Sequence, residues 1–166
     1  CMRGDPYNVA LRFFQALEKL TSDYFIRISG DSPILDARII NTAFDHVSHD
    51  GPNYSDKIWH IVSTVPSYPS GMNVEVVHAP TFMNEYKNFS EPGDFEHVTA
   101  YFYRNASKFA ILRLPCPISH LGQFRFSLDT PADKIKIEKL LIEFKQPHYH
   151  YTLEKKCHIY QKLFVD

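Results

Sequence analysis

Tyr24-Phe25-Ile26-Arg27-Ile28-Ser29-Gly30-Asp31-Ser32-Pro33 begins as a short apolar run and stops on a carboxylate in a loop. Behind it, Asp36 precedes Ile39, Ile40, Ala43, Phe44 and Val47, which recur at helical spacing. The stretch therefore predicts a strand, a loop carrying Asp31 and a helix. A second stretch repeats the plan: Phe124 to Leu128 is expected as a strand, and Asp129 follows it. Thr130 is placed to cap the next helix, with Pro131 at its first position and Asp133 at capping-box spacing; Ile137, Leu140, Leu141 and Phe144 form one face. Each stretch sets one acid where a strand gives way to a helix. In an open α/β sheet the strand carboxyl ends face the ligand crevice, so Asp31 and Asp129 can share one hard cation against a phosphate.

The remaining patterning alternates in the same way. Asp5-Pro6 predicts a helix start, with Ala10, Phe13, Phe14, Leu17 and Leu20 at helical spacing. Lys57 to Thr64, Met72 to Val77 and Phe109 to Leu114 read as strands. Thr81 to Phe89 and Phe95 to Tyr103 read as short helices, the second capped by Asp94. From Thr152, the stripe of Leu153, Cys157, Tyr160 and Phe164 makes Cys157 a core thiol. His148, His150, Cys157 and His158 match no closed zinc-site spacing.

With 166 residues, 44% hydrophobic and 14% aromatic, the chain is expected to form a single domain over residues 1–166 with a packed core. A formal net charge of −1 excludes the basic field of a non-specific nucleic-acid binder. Cys1, Cys116 and Cys157 have no paired spacing, which points to a reducing, cytoplasmic setting, and no apolar run approaches the roughly 18 residues a membrane span needs. The chain opens on Cys1 rather than Met and runs at once into a helix start, so a truncated beginning is expected.

Five strings in order carry a resemblance. They are Met2-Arg3-Gly4 with Asn8 to Phe13, Ile26 to Asp36, Tyr68-Pro69-Ser70-Gly71-Met72-Asn73-Val74-Glu75-Val76, Glu96-His97-Val98-Thr99, and Phe124 to Asp133. Together they resemble the cytidylyltransferase family that includes the spore coat polysaccharide biosynthesis protein F group and, more distantly, CMP-sialate and CMP-Kdo synthetases. The resemblance implies a nucleotide-diphospho-sugar transferase (Rossmann-like) α/β fold, with a mostly parallel sheet between helices and the first strand and its glycine loop missing. It further implies transfer of CMP from CTP to a sugar with release of pyrophosphate, for polysaccharide or glycan precursors. On this reading Asp31 and Asp129 hold Mg2+, while Asn73, Glu75, Glu96 and His97 lie on the acceptor side and Arg12 meets phosphate or carboxylate. CTP and a sugar acceptor are the expected partners, and a homodimer is an assembly the resemblance allows. Without its nucleotide loop the chain alone is expected to bind CTP poorly and to be inactive. The competing readings are a sugar-processing transferase of the same fold and a non-catalytic interaction domain.

Overall fold

The computed structural model describes residues 3–165; Cys1 and Met2, where the opening Arg-Gly string begins, lie outside the described residues. Seven helices are described: α1 (Val9–Leu17), α2 (Ala37–Phe44), α3 (Ala79–Glu85), α4 (Pro92–His97), α5 (Ala100–Arg104), α6 (Pro131–Glu143) and α7 (Leu153–Phe164). Four strands form one sheet: β1 (Tyr24–Arg27), β2 (Ile61–Ser63), β3 (Glu75–His78) and β4 (Ile111–Arg113), in the order β1-β3-β2-β4.

Alternation along the strands sends neighbouring residues to opposite faces. Ile61 and Val77 enter one core with Ala10, Phe82 and Phe102, covered by α1, α3 and α5. Val62 and Val76 enter the other with Ile39, Ala43, Phe126, Ile137, Leu140 and Cys157, covered by α2, α6 and α7. The central strands β2 and β3 are buried on both faces, so they read as near-continuous apolar runs.

β1 and β2 each pair antiparallel with β3, whereas β2 and β4 are parallel. Three strands thus run one way and β3 runs back. The expected mostly parallel sheet holds for strand direction and is corrected for neighbour pairing. The physical reason is the helix-free connection from 64 to 74, which returns the chain antiparallel because a parallel return would need a crossover.

Several expected boundaries also shift. Asp5 is not the first helix cap: its carboxylate accepts from the Tyr7 and Asn8 amides, and Asn8 caps α1 through the Leu11 amide at 2.8 Å. The segment 124–128 is not a strand, because it meets a turn rather than an extended partner; a single bridge joins Ser70 to Arg125, and the Phe126 amide donates to Ser70 O at 2.7 Å. The helix expected over 95–103 is two helices. Val98 sits at φ 59° between α4 and α5, a costly conformation for a β-branched residue.

Asp94 does not cap from outside the helix. It lies within the first turn of α4, fully buried, accepts from the Ser90 and Glu91 amides and receives both arms of Arg104 at 2.6 and 2.7 Å. The Arg104 hydrogen bonds, followed by those amides, outweigh burial and hold its carboxyl at about 2, below the usual 3.8. A depressed folded-state pKa contributes stability that is fully present above pH 4 and is lost as pH falls toward 2. The gap in melting temperature between the wild type and Asp94→Asn is therefore expected to narrow from pH 4 to pH 2 in an acid titration followed by circular dichroism. A gap that stays constant over that window contradicts the assignment.

Candidate active site

β1 delivers the chain to a loop in which the Ser32 amide reaches Ser29 O and the Leu35 amide reaches Ser32 O, at 3.2 and 3.4 Å. Asp36 then caps α2 through the Arg38 amide. Asp31 stands half-buried in this loop, and its carboxylate accepts from Ser32 Oγ at 3.1 Å. The Leu128 amide donates to Asp31 O at 2.9 Å. That bond joins the two acid-bearing segments and sets Asp129 one residue from the contact. Both lie beyond the carboxyl end of β1, the side where the topology predicts a crevice.

Asp129 is exposed and pairs with Arg125. Behind it α6 begins as its sequence predicts: Thr130 Oγ1 accepts from the Asp133 amide, and Asp133 accepts from the Thr130 amide at 2.9 Å. The Thr130 hydroxyl and the surrounding amides hold the Asp133 carboxyl below its usual range. Asp133 is therefore occupied in capping, which leaves Asp129 as the outward-facing acid.

The approach of 125–129 depends on the turn before β3. The Met72 amide closes on Pro69 O at 3.0 Å, with Gly71 at φ 82°. A β-carbon on Gly71 would lie 2.4 Å from the Phe126 carbonyl carbon and the Ser127 nitrogen. Only glycine permits that contact.

Glu75 is not presented to solvent as its sequence position suggests. It is 2% exposed, pairs with Arg27 at 2.7 Å and accepts from the Thr99 and Tyr103 hydroxyls. The reason is strand parity: Glu75 lies on the face of Val77, where α5 covers the sheet. Burial and the Glu75 charge raise the Tyr103 phenol, which also bonds Ser63 Oγ at 2.7 Å. Across the sheet, Arg27, Glu75, Ser63 and Arg113 are register partners. Thr99, Tyr103 and Ser63 were not legible as members of the Glu75 hydrogen-bond cluster. The available signal was a lone carboxylate in the apolar run Val74-Glu75-Val76-Val77, which a buried charge can occupy only with partners.

Asn73 Oδ1 is buried and has no hydrogen-bond partner among the described residues. Glu96 and His97 are both exposed at the end of α4, directly before the Val98 kink. Arg12, on α1, packs its aliphatic stem against Gly4, and no described hydrogen bond joins it to Asp31 or Asp129. The structure thus joins the backbone segments that carry Asp31 and Asp129 and links Glu75 to Thr99, two residues after His97. It does not bring Arg12 to either acid by any described hydrogen bond. Cys157 is 1% exposed, and burial pushes its thiol up to about 12, as fits a packing residue.

A cytidylyltransferase family model matches residues 1–161. An uncharacterized protein of Methanocaldococcus jannaschii, MJ1063, is 30% identical over 149 residues, 89% of this chain and 56% of that protein. The spore coat polysaccharide biosynthesis protein SpsF of Bacillus subtilis is 25% identical over 140 residues, 83% of this chain and 55% of that protein. The chain thus spans about half the length of these curated relatives. A solved cytidylyltransferase structure from Leptospira borgpetersenii superposes with a TM-score of 0.84 at 18% identity, covering 98% of this chain and 66% of that one. Among the described residues no helix is long and apolar enough to cross a membrane.

Proposed function

Because this chain belongs to the cytidylyltransferase family, we propose that its protein transfers CMP from CTP to a sugar hydroxyl, releasing pyrophosphate for a polysaccharide or glycan precursor. The observation that supports the reading is the Leu128 amide bond to Asp31 O, which joins the two acid-bearing segments beyond the carboxyl end of β1. Their donor set is all oxygen and solvent-accessible, the chemistry Mg2+ prefers when phosphate oxygens and water complete its shell. Asp31 and Asp129 would hold the ion, which would supply charge neutralisation for the phosphates.

The chain's own residues account for the rest. Asn73, half-buried two residues after Gly71, offers its side-chain amide to a hydroxyl of the acceptor. Glu75 positions rather than binds, holding Arg27 on one side and Thr99 on the other. His97, exposed at the end of α4, takes the proton of the attacking hydroxyl as its oxygen bonds to the α-phosphorus and the bond to the leaving pyrophosphate breaks.

The test is pyrophosphate release by the full gene product from each of the four nucleoside triphosphates with Mg2+, across a panel of neutral and acidic sugars. Release that requires both CTP and one sugar class is the expected result. Equal rates with all triphosphates, or release that no sugar stimulates, rejects the reading.

A further inference from the structure

The loop that carries Asp31 is weakly self-supporting. Its two internal backbone bonds are long, at 3.2 and 3.4 Å, and between residues 29 and 36 it has no strand partner. Its firmest ties come from the far end of the chain. Lys156 of α7, fully buried, donates from Nζ to Ile34 O at 2.8 Å. One turn earlier, the Leu153 amide donates to Asp36 Oδ2 at 2.9 Å, and Asp36 is itself 3% exposed. Ile34, between these ties, is fully buried. The Leu128 amide on Asp31 O completes three anchors across six residues.

A lysine here is expensive. Its ammonium is removed from water among apolar side chains, and burial lowers it to about 8 despite the nearby Asp36 charge. An apolar side chain of the same length would fill the space at lower cost to folding. What the lysine adds is a hydrogen bond to a carbonyl that would otherwise be buried without a partner.

We propose that Lys156 is a positioning residue for nucleotidyl transfer, acting with the Leu153 amide to clasp the 31–36 loop so that the Asp31 carboxylate is held toward the metal and the nucleotide. This rests on the reading of Asp31 given under the proposed function. The clasp acts through Ile34 and touches neither substrate, so its loss loosens the loop without removing a ligand.

Amide hydrogen exchange in the full gene product, without metal or nucleotide, reads the clasp directly. In Lys156→Met, exchange at Ser32 and Leu35 is expected to accelerate at least about tenfold, while Val62 and Val76 in the sheet stay unchanged. In the transfer assay the same variant is expected to lose kcat by about tenfold or more, to need more Mg2+ for half-maximal rate and to keep its KM for CTP. Should the methionine variant fail to fold, Lys156→Gln, whose shorter chain cannot make the same reach, is read by the same thresholds. Unchanged exchange at Ser32 and Leu35, a uniform rise across the sheet, or a wild-type kcat and Mg2+ requirement each overturns the clasp and leaves the transferase reading standing. Asp31→Asn, run in parallel, separates the two: if it retains the wild-type rate, the transferase reading falls and takes the clasp with it.

Discussion

Asp31→Asn and Asp129→Asn are each expected to lower the rate of CMP transfer by at least about a hundredfold and to leave the melting temperature within about 2 °C of wild type. The asymmetry follows from their surroundings. The Asp31 carboxylate makes one side-chain hydrogen bond, to Ser32, and its backbone tie to Leu128 survives the change. Asp129 loses only an ion pair with Arg125 in which both side chains are more than 40% exposed, a class worth about 0–1 kcal/mol. Folding thus has little at stake in either charge, whereas the proposed reaction would need negative oxygen to hold a cation against the departing pyrophosphate. Pyrophosphate release and thermal melting on the same samples check both halves. A variant with wild-type turnover removes that aspartate from the site.

Gly71→Ala is expected to destabilise the fold by more than about 3 kcal/mol, because a side chain at that φ is strained and its β-carbon strikes backbone that cannot rotate away. For a domain of this size that corresponds to a fall in melting temperature of roughly 6 to 12 °C or more. Gly30→Ala is the control. A β-carbon there meets nothing within 4 Å, and a change of less than about 1 kcal/mol is expected. The contrast matters because Gly30 stands next to Asp31 in the most suggestive string of the sequence, yet sterically Gly71 is the constrained glycine. Any relaxation at Gly71 pushes 125–127 outward and carries Asp129 with it, so residual activity should fall further than the folded fraction alone explains. Equal melting temperatures for the two variants would show that the Gly71 contact relaxes without cost.

What could be read from the sequence was what is local. Thr130 was legible as a helix cap because the cap bond spans three residues and its chemistry is written in adjacent letters, and Asp36 and Thr152 were legible as the points where helical spacing begins. The face of α7 that buries Leu153 and Cys157 was legible for the same reason. Phe124 to Leu128 was misread as a strand because alternating aromatic residues look identical whether their backbone pairs with a strand or a turn. The burial of Glu75, expected on the acceptor side, was not legible: its partners Thr99 and Tyr103 lie 24 and 28 residues away, beyond the strained Val98. Lys156 escaped notice altogether. Its spacing put it on the buried stripe, and only the distant Ile34 carbonyl explains why a charge belongs there.

The bonds from Lys156 to Ile34 and from Leu153 to Asp36 close over 122 and 117 residues, and that separation imposes an order in time. On a ribosome adding about 5–20 residues per second, the Asp31 loop leaves the peptidyl-transferase centre roughly 6 to 24 seconds before its clasp is synthesised. During that interval the acids cannot be held in their final relation, since α6 and the Asp129 segment are also still to come. The sheet is delayed as well, because β1 waits for β3 before it has any described partner. The Asp31 loop therefore waits, once made, for contacts that α6 and α7 supply, and its two longest-range ties form only after α7 has been synthesised.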